Sequence, residues 1–253
     1  MASLVIIPTY NERDNLPVLV RQLLAIPDLH VMVADDRSPD GTGEIADGLA
    51  RQFPGRVEVL HRTGQRGLGR SYLEAISRAV TGTWKAICQM DADLSHDPQY
   101  LPAMLAALDT YDVAIGSRYL QGVSVVNWPL RRIMLSAFAN RYIRFVTRLH
   151  VNDCTSGYRC WRRDALARLP LDTIVSDGYA FLVEMLYDAC KLGCRITEVP
   201  IIFVERRAGA SKLSGSVLIE SLLMPWRLVL RARPRPRDTG AAQPPASARE
   251  PRS

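Results

Sequence analysis

AICQMDADLSHDP, Ala86 to Pro98, sets a short apolar run directly against three carboxylates within seven residues. The run KAICQM reads as a buried strand, and the carboxylates follow at its end. Residues i and i+2 of an extended chain point the same way, so Asp91 and Asp93 can converge on one hard cation, Mg²⁺ or Mn²⁺. The small Ala92 between them lets backbone or sugar approach. Asp97, before Pro98, reads instead as the start of a helix, and His96 as a surface histidine.

Working outward, similar β-rich runs occur at Ser3–Ile7, Val31–Ala34 and Val57–His61. They alternate with segments of helical periodicity such as Leu16–Ala25 and Gly43–Phe53. That alternation predicts βαβ units: an α/β fold with a Rossmann-like, mostly parallel sheet and helices on both faces. Ligands of such sheets sit outside the carboxyl ends of the strands, so the chemistry-bearing residues should follow each strand.

After the first strand comes PTYNERDNLP, where Thr9 or Asn11 is expected to cap a helix beginning near Asp14, with Glu12 in its first turn. Tyr10 stands at the strand mouth, where its ring can stack on a planar base. The second strand ends in DDRSPDGTG; Asp35 and Asp36 repel each other unless a cation or hydrogen-bond donors, such as those of a nucleoside, lie between them. Ser38 and Asp40 build the turn, and Thr42 is expected to cap the next helix. After the third strand, Gly64, Gly67 and Gly69 are spaced GxxGxG, matching neither common phosphate-loop fingerprint. They read as a flexible turn into a helix near Ser71, with Arg66 or Arg70 free to reach a phosphate.

Composition narrows the class. The 253 residues are 47% hydrophobic, enough for a full core, and the formal net charge is +6. The last 23 residues hold six Arg against Asp238 and Glu250, so the tail carries +4 and the body about +2. With five Pro and no large apolar side chain, 231–253 is expected to be a disordered Arg/Pro-rich tail after a domain spanning 1–230. The body has no concentrated basic and aromatic stripe, so no nucleic-acid partner is expected. Five Cys without a CxxC pair point to a reduced, cytoplasmic chain. No uncharged apolar run approaches the roughly 20 residues of a spanning helix.

The segments PTYNE (Pro8–Glu12), DDRSPDGT (Asp35–Thr42), GLG (Gly67–Gly69), DADLSH (Asp91–His96), GSRY (Gly116–Tyr119), TSGYR (Thr155–Arg159) and EVPIIFVERRAGASK (Glu198–Lys212) occur in one order. In that order, over about residues 3–230, the chain resembles family 2 glycosyltransferases, specifically the polyprenyl-phosphate (dolichyl-phosphate) mannosyltransferases. The resemblance implies a GT-A-type nucleotide-diphospho-sugar transferase fold. It also implies transfer of mannose from GDP-mannose to a polyprenyl monophosphate, with inversion and a divalent metal. Carried over by position, it implies a nucleotide-sugar site of Pro8, Tyr10, Glu12, Ala34, Asp36, Asp91, Ala92 and Asp93, to which the turn after the third strand adds Arg66. Arg118, Arg206 and Lys212 would hold the diphosphate. Asp91 and Asp93 would hold the metal, with Ser95 left open as a further ligand because some relatives carry Gln there. Arg132 and Ser136, in NWPLRRIMLS, match the acceptor-phosphate region. Arg37 departs from the usual DDGS form.

The same scaffold can serve a UDP-sugar and another hexose, or bind a nucleotide sugar without catalysis; the NWP–RR and SGYR segments favour the mannose branch. A lipid acceptor implies membrane contact. Ile133, Phe138, Tyr142, Phe145, Val146 and Leu149 recur at near-helical spacing among Arg131, Arg132, Arg141, Arg144 and Arg148, a pattern suited to the headgroup plane. Ser214–Leu230 is a second such segment. The expectation is a peripheral protein on the cytoplasmic face of a membrane, with a separate membrane-anchoring protein left open as a partner.

Overall fold

The computed structural model describes residues 2–174, 176, 178, 180–204, 215–231 and 236–237, the side chains of 215–221 excepted. Seven strands form one sheet: β1 (Ser3–Thr9), β2 (Leu29–Asp35), β3 (Val57–His61), β4 (Ala86–Gln89), β5 (Val113–Ser117), β7 (Arg159–Arg162) and β8 (Ile196–Pro200), in the order β3-β2-β1-β4-β7-β5-β8. All pairings are parallel except those of β7, which runs antiparallel to both β4 and β5. β6 (Val125–Val126) and β9 (Phe203–Val204) pair as a separate two-stranded ribbon.

The helices are α1 (Leu16–Leu24), α2 (Thr42–Gln52), α3 (Leu68–Ala79), α4 (Leu101–Ala107), α5 (Leu130–Thr147), α6 (Arg163–Ala167), α7 (Ala180–Lys191) and α8 (Gly215–Leu230). They cover both sheet faces, which is why β1 and β2 are continuous apolar runs. Alternate side chains feed two cores. Leu4, Ile6, Met32 and Ile87 pack with Tyr72 and Ile76 of α3 and Phe181 of α7. Val5, Ile7, Val33 and Cys88 pack with Leu19 and Leu23 of α1 and Met104 of α4. Pro8 is tolerated in a central strand because the β1–β4 register ends at Ile6 against Gln89, so no β4 partner stands opposite it.

Four local expectations are corrected. α1 starts at Leu16, and neither Thr9 nor Asn11 caps it: Thr9 belongs to β1 and donates to Asp35, while Asn11 sits at φ 61°. α3 starts at Leu68, three residues before the expected Ser71. Thr42 lies inside the first turn of α2, after Gly41 at φ 90°, which only a residue without Cβ adopts freely. Asp40, one residue further back, accepts from the Thr42 N–H and hydroxyl. Asp97 does start the helical turn Pro98–Tyr100, accepting from the Gln99 N–H.

Candidate active site

At the carboxyl ends of β1 and β2, Pro8, Thr9, Tyr10, Asp36, Arg66, Gly67, Leu68 and Ser71 line a cavity of about 320 Å³. Four of the expected nucleotide-site residues, Pro8, Tyr10, Asp36 and Arg66, therefore meet on one wall. Ala34 and Glu12 are not on it. Ala34 is packed in the core, and Glu12 is buried with its carboxylate taking the Asn15 side-chain N–H at 2.8 Å. Tyr10 is 47% exposed. The Arg66 guanidinium lies 4.8 Å over its ring, donating to its hydroxyl and to the Arg37 carbonyl. Arg37, at φ 58°, donates to Gly64 and ties the two loops together.

The two neighbouring Asp are separated by assigning each its own donors. Asp35 accepts from Thr9 and from the Ser38 hydroxyl and N–H. Asp36 accepts from Arg62 at 2.5 Å and from the Gly67 N–H at 2.9 Å. Arg62 is itself buried and also reaches Ser71, Glu74 and the Gln65 carbonyl. The sequence reading passed over Arg62 in favour of Arg66 and Arg70. A signal was available: Asp35 pairs with His61 across adjacent parallel strands, so the next residues, Asp36 and Arg62, leave the sheet at the same level.

Asp91 and Asp93 come together, but not as alternate residues of a strand. β4 ends at Gln89, and the chain bends through Ala92–Leu94 with Leu94 at φ 62°. Asp91 takes a hydrogen bond from the Tyr72 hydroxyl at 3.1 Å, and its N–H donates to Nδ1 of His96 at 3.2 Å. Burial pushes the Asp91 carboxyl upward; His96 opposes that and the Asp93 charge reinforces it. Ser95 directs both its N–H and its hydroxyl to Asp93 Oδ1, at 3.1 and 2.6 Å. Both bonds go to one oxygen of Asp93, so Ser95 fixes that carboxylate. His96 corrects the expectation of a surface residue: it is 3% exposed, stacked on Tyr158 at 4.9 Å and edge-on to Phe203 at 5.6 Å. Burial lowers its pKa against the pull of Asp91 and Asp93.

The donor set fits a divalent cation. Burial and a neighbouring carboxylate both disfavour two adjacent negative charges, and a cation relieves this. A Cβ on Gly157 would lie 3.5 and 3.6 Å from the two Asp91 oxygens, so the bare glycine leaves a face of that carboxylate open. Among the described residues no group of three or more His, Cys, Asp or Glu gathers around a common point. Two carboxylates completed by substrate phosphate oxygens is the arrangement Mg²⁺ and Mn²⁺ favour at phosphate-bearing sites.

The residues expected on the acceptor side form a second cluster. Arg118 is not an open cation: Nε and Nη2 each donate at 2.7 Å to the fully buried Asp153, and Nη2 also reaches Thr155. Asp153 is held in turn by Glu198, which accepts from the Asn152 and Asp153 N–H groups. Arg118 lies 5.5–5.6 Å from the rings of Trp128 and Phe203, and Arg132 stacks on Trp128 at 4.1 Å. Ser136 accepts from the Tyr119 hydroxyl at 2.7 Å. Phe203 and Trp128 meet edge to face, so an aromatic chain runs from His96 beside Asp91 to the Arg118–Arg132 pair. Arg206 and Lys212 lie outside the described residues.

Beyond this cluster α5 departs from a single apolar stripe. Asn140, Ile143, Val146 and Thr147 face inward, while Leu130, Met134, Phe138 and Phe145 are exposed, Phe145 by 80%. α8 adds exposed Leu222, Leu223, Trp226, Val229 and Leu230. The helices join through Tyr142, whose hydroxyl donates to the Leu222 carbonyl and accepts from Trp226 Nε1. Among the described residues no helix is long and apolar enough to cross a membrane.

This mostly parallel seven-stranded sheet with helices on both faces is a fold of GT-A type. Glucosyl-3-phosphoglycerate synthase from Mycobacterium tuberculosis shares the fold: its complex with Mn²⁺, UDP and phosphoglyceric acid superimposes with a TM-score of 0.63 at 18% identity, over 90% of this chain and 76% of that one. The complex with Mn²⁺ and UDP-glucose gives 0.62 at 16%, over 88% and 78%. The family model described as glycosyl transferase family 2 matches residues 4–169, and the chain belongs to that family. It is 45% identical over 233 residues, 91% of this chain and 88% of the other, to the polyprenol monophosphomannose synthase of Mycolicibacterium smegmatis. It is likewise 45% identical over 234 residues, 92% and 96%, to the undecaprenyl-phosphate mannosyltransferase of Micrococcus luteus.

Proposed function

We propose that the protein transfers mannose from GDP-mannose to a polyprenyl monophosphate at a membrane surface, with inversion, giving polyprenyl-phosphate mannose. The observation that carries this reading is a juxtaposition. The Asp91–Asp93 pair and the Arg118–Arg132–Ser136 cluster share one chain of aromatic rings, and α5, which bears Arg132 and Ser136, exposes apolar side chains on its outer face. A donor diphosphate, an acceptor phosphate and a lipid tail each find a suitable surface in that order. The two mannosyltransferases that match nearly the full chain support the same choice of sugar and acceptor.

The residues divide the work. Tyr10, Arg66 and Asp36 hold the base and ribose, with Asp36 fixed by Arg62. Asp91 and Asp93 hold a divalent cation, Mg²⁺ or Mn²⁺, which when bound supplies positive charge to the departing diphosphate. Ala92 keeps space for the sugar, and Ser95 keeps Asp93 aimed. Arg206 and Lys212 complete the charge around the diphosphate. The acceptor phosphate is already an oxyanion near neutral pH, so no strong general base is required. Arg132, Ser136 and the Asp153-oriented Arg118 align one of its oxygens with the anomeric carbon; the new C–O bond forms as the bond to the GDP oxygen breaks. α5 and α8 rest on anionic lipid, on the cytoplasmic face of a membrane, alone or beside a separate anchoring protein.

Incubation with labelled GDP-mannose, UDP-glucose or UDP-N-acetylglucosamine, each with a short polyprenyl phosphate and Mg²⁺ or Mn²⁺, tests the reading. Lipid-linked mannose from GDP-mannose is the expected product. Lipid-linked glucose without lipid-linked mannose reverses the choice of donor.

A further inference from the structure

His96 and Gly157 are absent from the nucleotide cavity wall, yet both touch the surroundings of Asp91. The His96 ring is fixed from two sides, stacked on Tyr158 and met by the edge of Phe203. Tyr158 is itself anchored, its hydroxyl donating to the Asp97 carbonyl at 3.0 Å. A ring so held can aim one nitrogen only, and Nδ1 lies 3.2 Å from the Asp91 N–H. Accepting that hydrogen requires an unprotonated Nδ1, which leaves the ring hydrogen on Nε2.

This bond replaces one the sheet no longer supplies. The paired part of β4 stops at Gln89, two residues before Asp91. Past it the chain turns through the left-handed Leu94, with the Asp91 N–H held by His96 and the Ser95 N–H by Asp93 Oδ1. At the carboxylate itself, a Cβ at Gly157 would meet both Asp91 oxygens and come within 3.7 Å of His96 Cε1. Those are ordinary contact distances, so an added methyl fits the fold but fills the space beside the carboxylate.

We propose that His96 and Gly157 are positioning residues for the cation held by Asp91 and Asp93: His96 fixes the Asp91 main chain through Nδ1, and Gly157 keeps the open face of its carboxylate clear. The inference rests on the cation reading above and adds to it two residues that are not ligands.

The test is Mn²⁺ binding by the full chain in the presence of GDP, followed by electron paramagnetic resonance, with thermal melting alongside and Asp93→Ala as a control. His96→Ala is expected to weaken Mn²⁺ binding by about tenfold, the lower end of what lost outer-shell partners cost. His96→Asn, whose amide oxygen falls near the Nδ1 position, should restore most of the affinity; His96→Gln, whose amide reaches toward Nε2, should not. Gly157→Ala should weaken binding several-fold with an unchanged melting temperature. A purely structural role would lower the melting temperature without separating Asn from Gln. Wild-type affinity in both His96→Ala and Gly157→Ala, or equal rescue by Asn and Gln, overturns the inference and leaves the cation reading standing. A wild-type protein that binds no Mn²⁺, like the Asp93→Ala control, overturns both.

Discussion

The strand-end mouth and the α5–α8 face solve opposite problems. At the mouth, Asp35, Asp36, Asp91 and Asp93 each have protein donors in place, and Arg62 joins the ends of β2 and β3. On the α5–α8 face, large apolar side chains lie open to solvent, Leu230 by 81%. A charged, polar ligand is recognised by groups already oriented, because reorienting dipoles during binding is costly. A fluid lipid surface needs no such register and is met by area alone. The difference teaches that preset hydrogen bonds in this molecule are concentrated at the strand ends and open apolar area on the outer helices.

The sharpest way to break the comparison is Asp93→Ala. Its side chain is partly exposed, so the fold should survive with little change in melting temperature. Mannosyl transfer should fall at least about 100-fold, as for loss of a group stabilising developing charge. Retained transfer removes the cation from the donor side.

Arg62→Met tests whether the mouth is held by its ion pair. It leaves Asp36 buried beside an apolar chain, a loss expected to cost about 3–5 kcal/mol in urea unfolding. Adding Asp36→Asn should recover part of it. Unchanged stability would show that the loops need no such clip.

A weaker counterpart sits on the other side. Arg231, just past α8, pairs with Glu184 and Asp188 of α7, both buried, and so fastens the outer helix. Arg231→Met should cost about 2–3 kcal/mol, less than the mouth pair because Arg231 is partly exposed. The pH sign is defined. Burial raises the Asp188 carboxyl above its unfolded value while Arg231 lowers it. Losing Arg231 raises it further, and a raised carboxyl favours the folded state only where it is protonated. The stability deficit of the variant should therefore be larger at pH 8 than at pH 5; the reverse order would show that Arg231 does not hold Asp188.

For the apolar face, Phe138→Ser and Trp226→Ser should each weaken flotation with anionic liposomes by about tenfold, in line with losing part of an aromatic burial, and barely alter folding. Unchanged flotation would place the lipid contact elsewhere. The smallest effect is chemical. Of the five thiols only Cys190 is exposed, and burial pushes Cys154, packed in the core, up to about 12. Native protein should react at one thiol with a thiol reagent at pH 8; fast reaction of Cys154 would show that the core beneath α5 opens.

The strands and the helical start at Asp97 were legible because they rest on local pattern, apolar runs and turn chemistry, whereas Asp91 and Asp93 meet past the end of β4 and not as alternate residues of it. His96 was misread because exposure is not a local property. Its ring is enclosed by Tyr158 and Phe203, far along the chain. The pairing of Arg118, expected to hold the diphosphate, was not legible because its partner, Asp153, lies 35 residues away.

The chain by itself determined an alternating α/β sheet and the side of it that carries the chemistry, since periodicity and strand ends are written residue by residue. Only the tertiary structure decided that β7 enters the sheet antiparallel between β4 and β5, following Gly157 beside Asp91, and that α5 is apolar on its outer as well as its inner side. Strand direction and helix burial are set by which distant surfaces fit together, and no short window of sequence contains both surfaces.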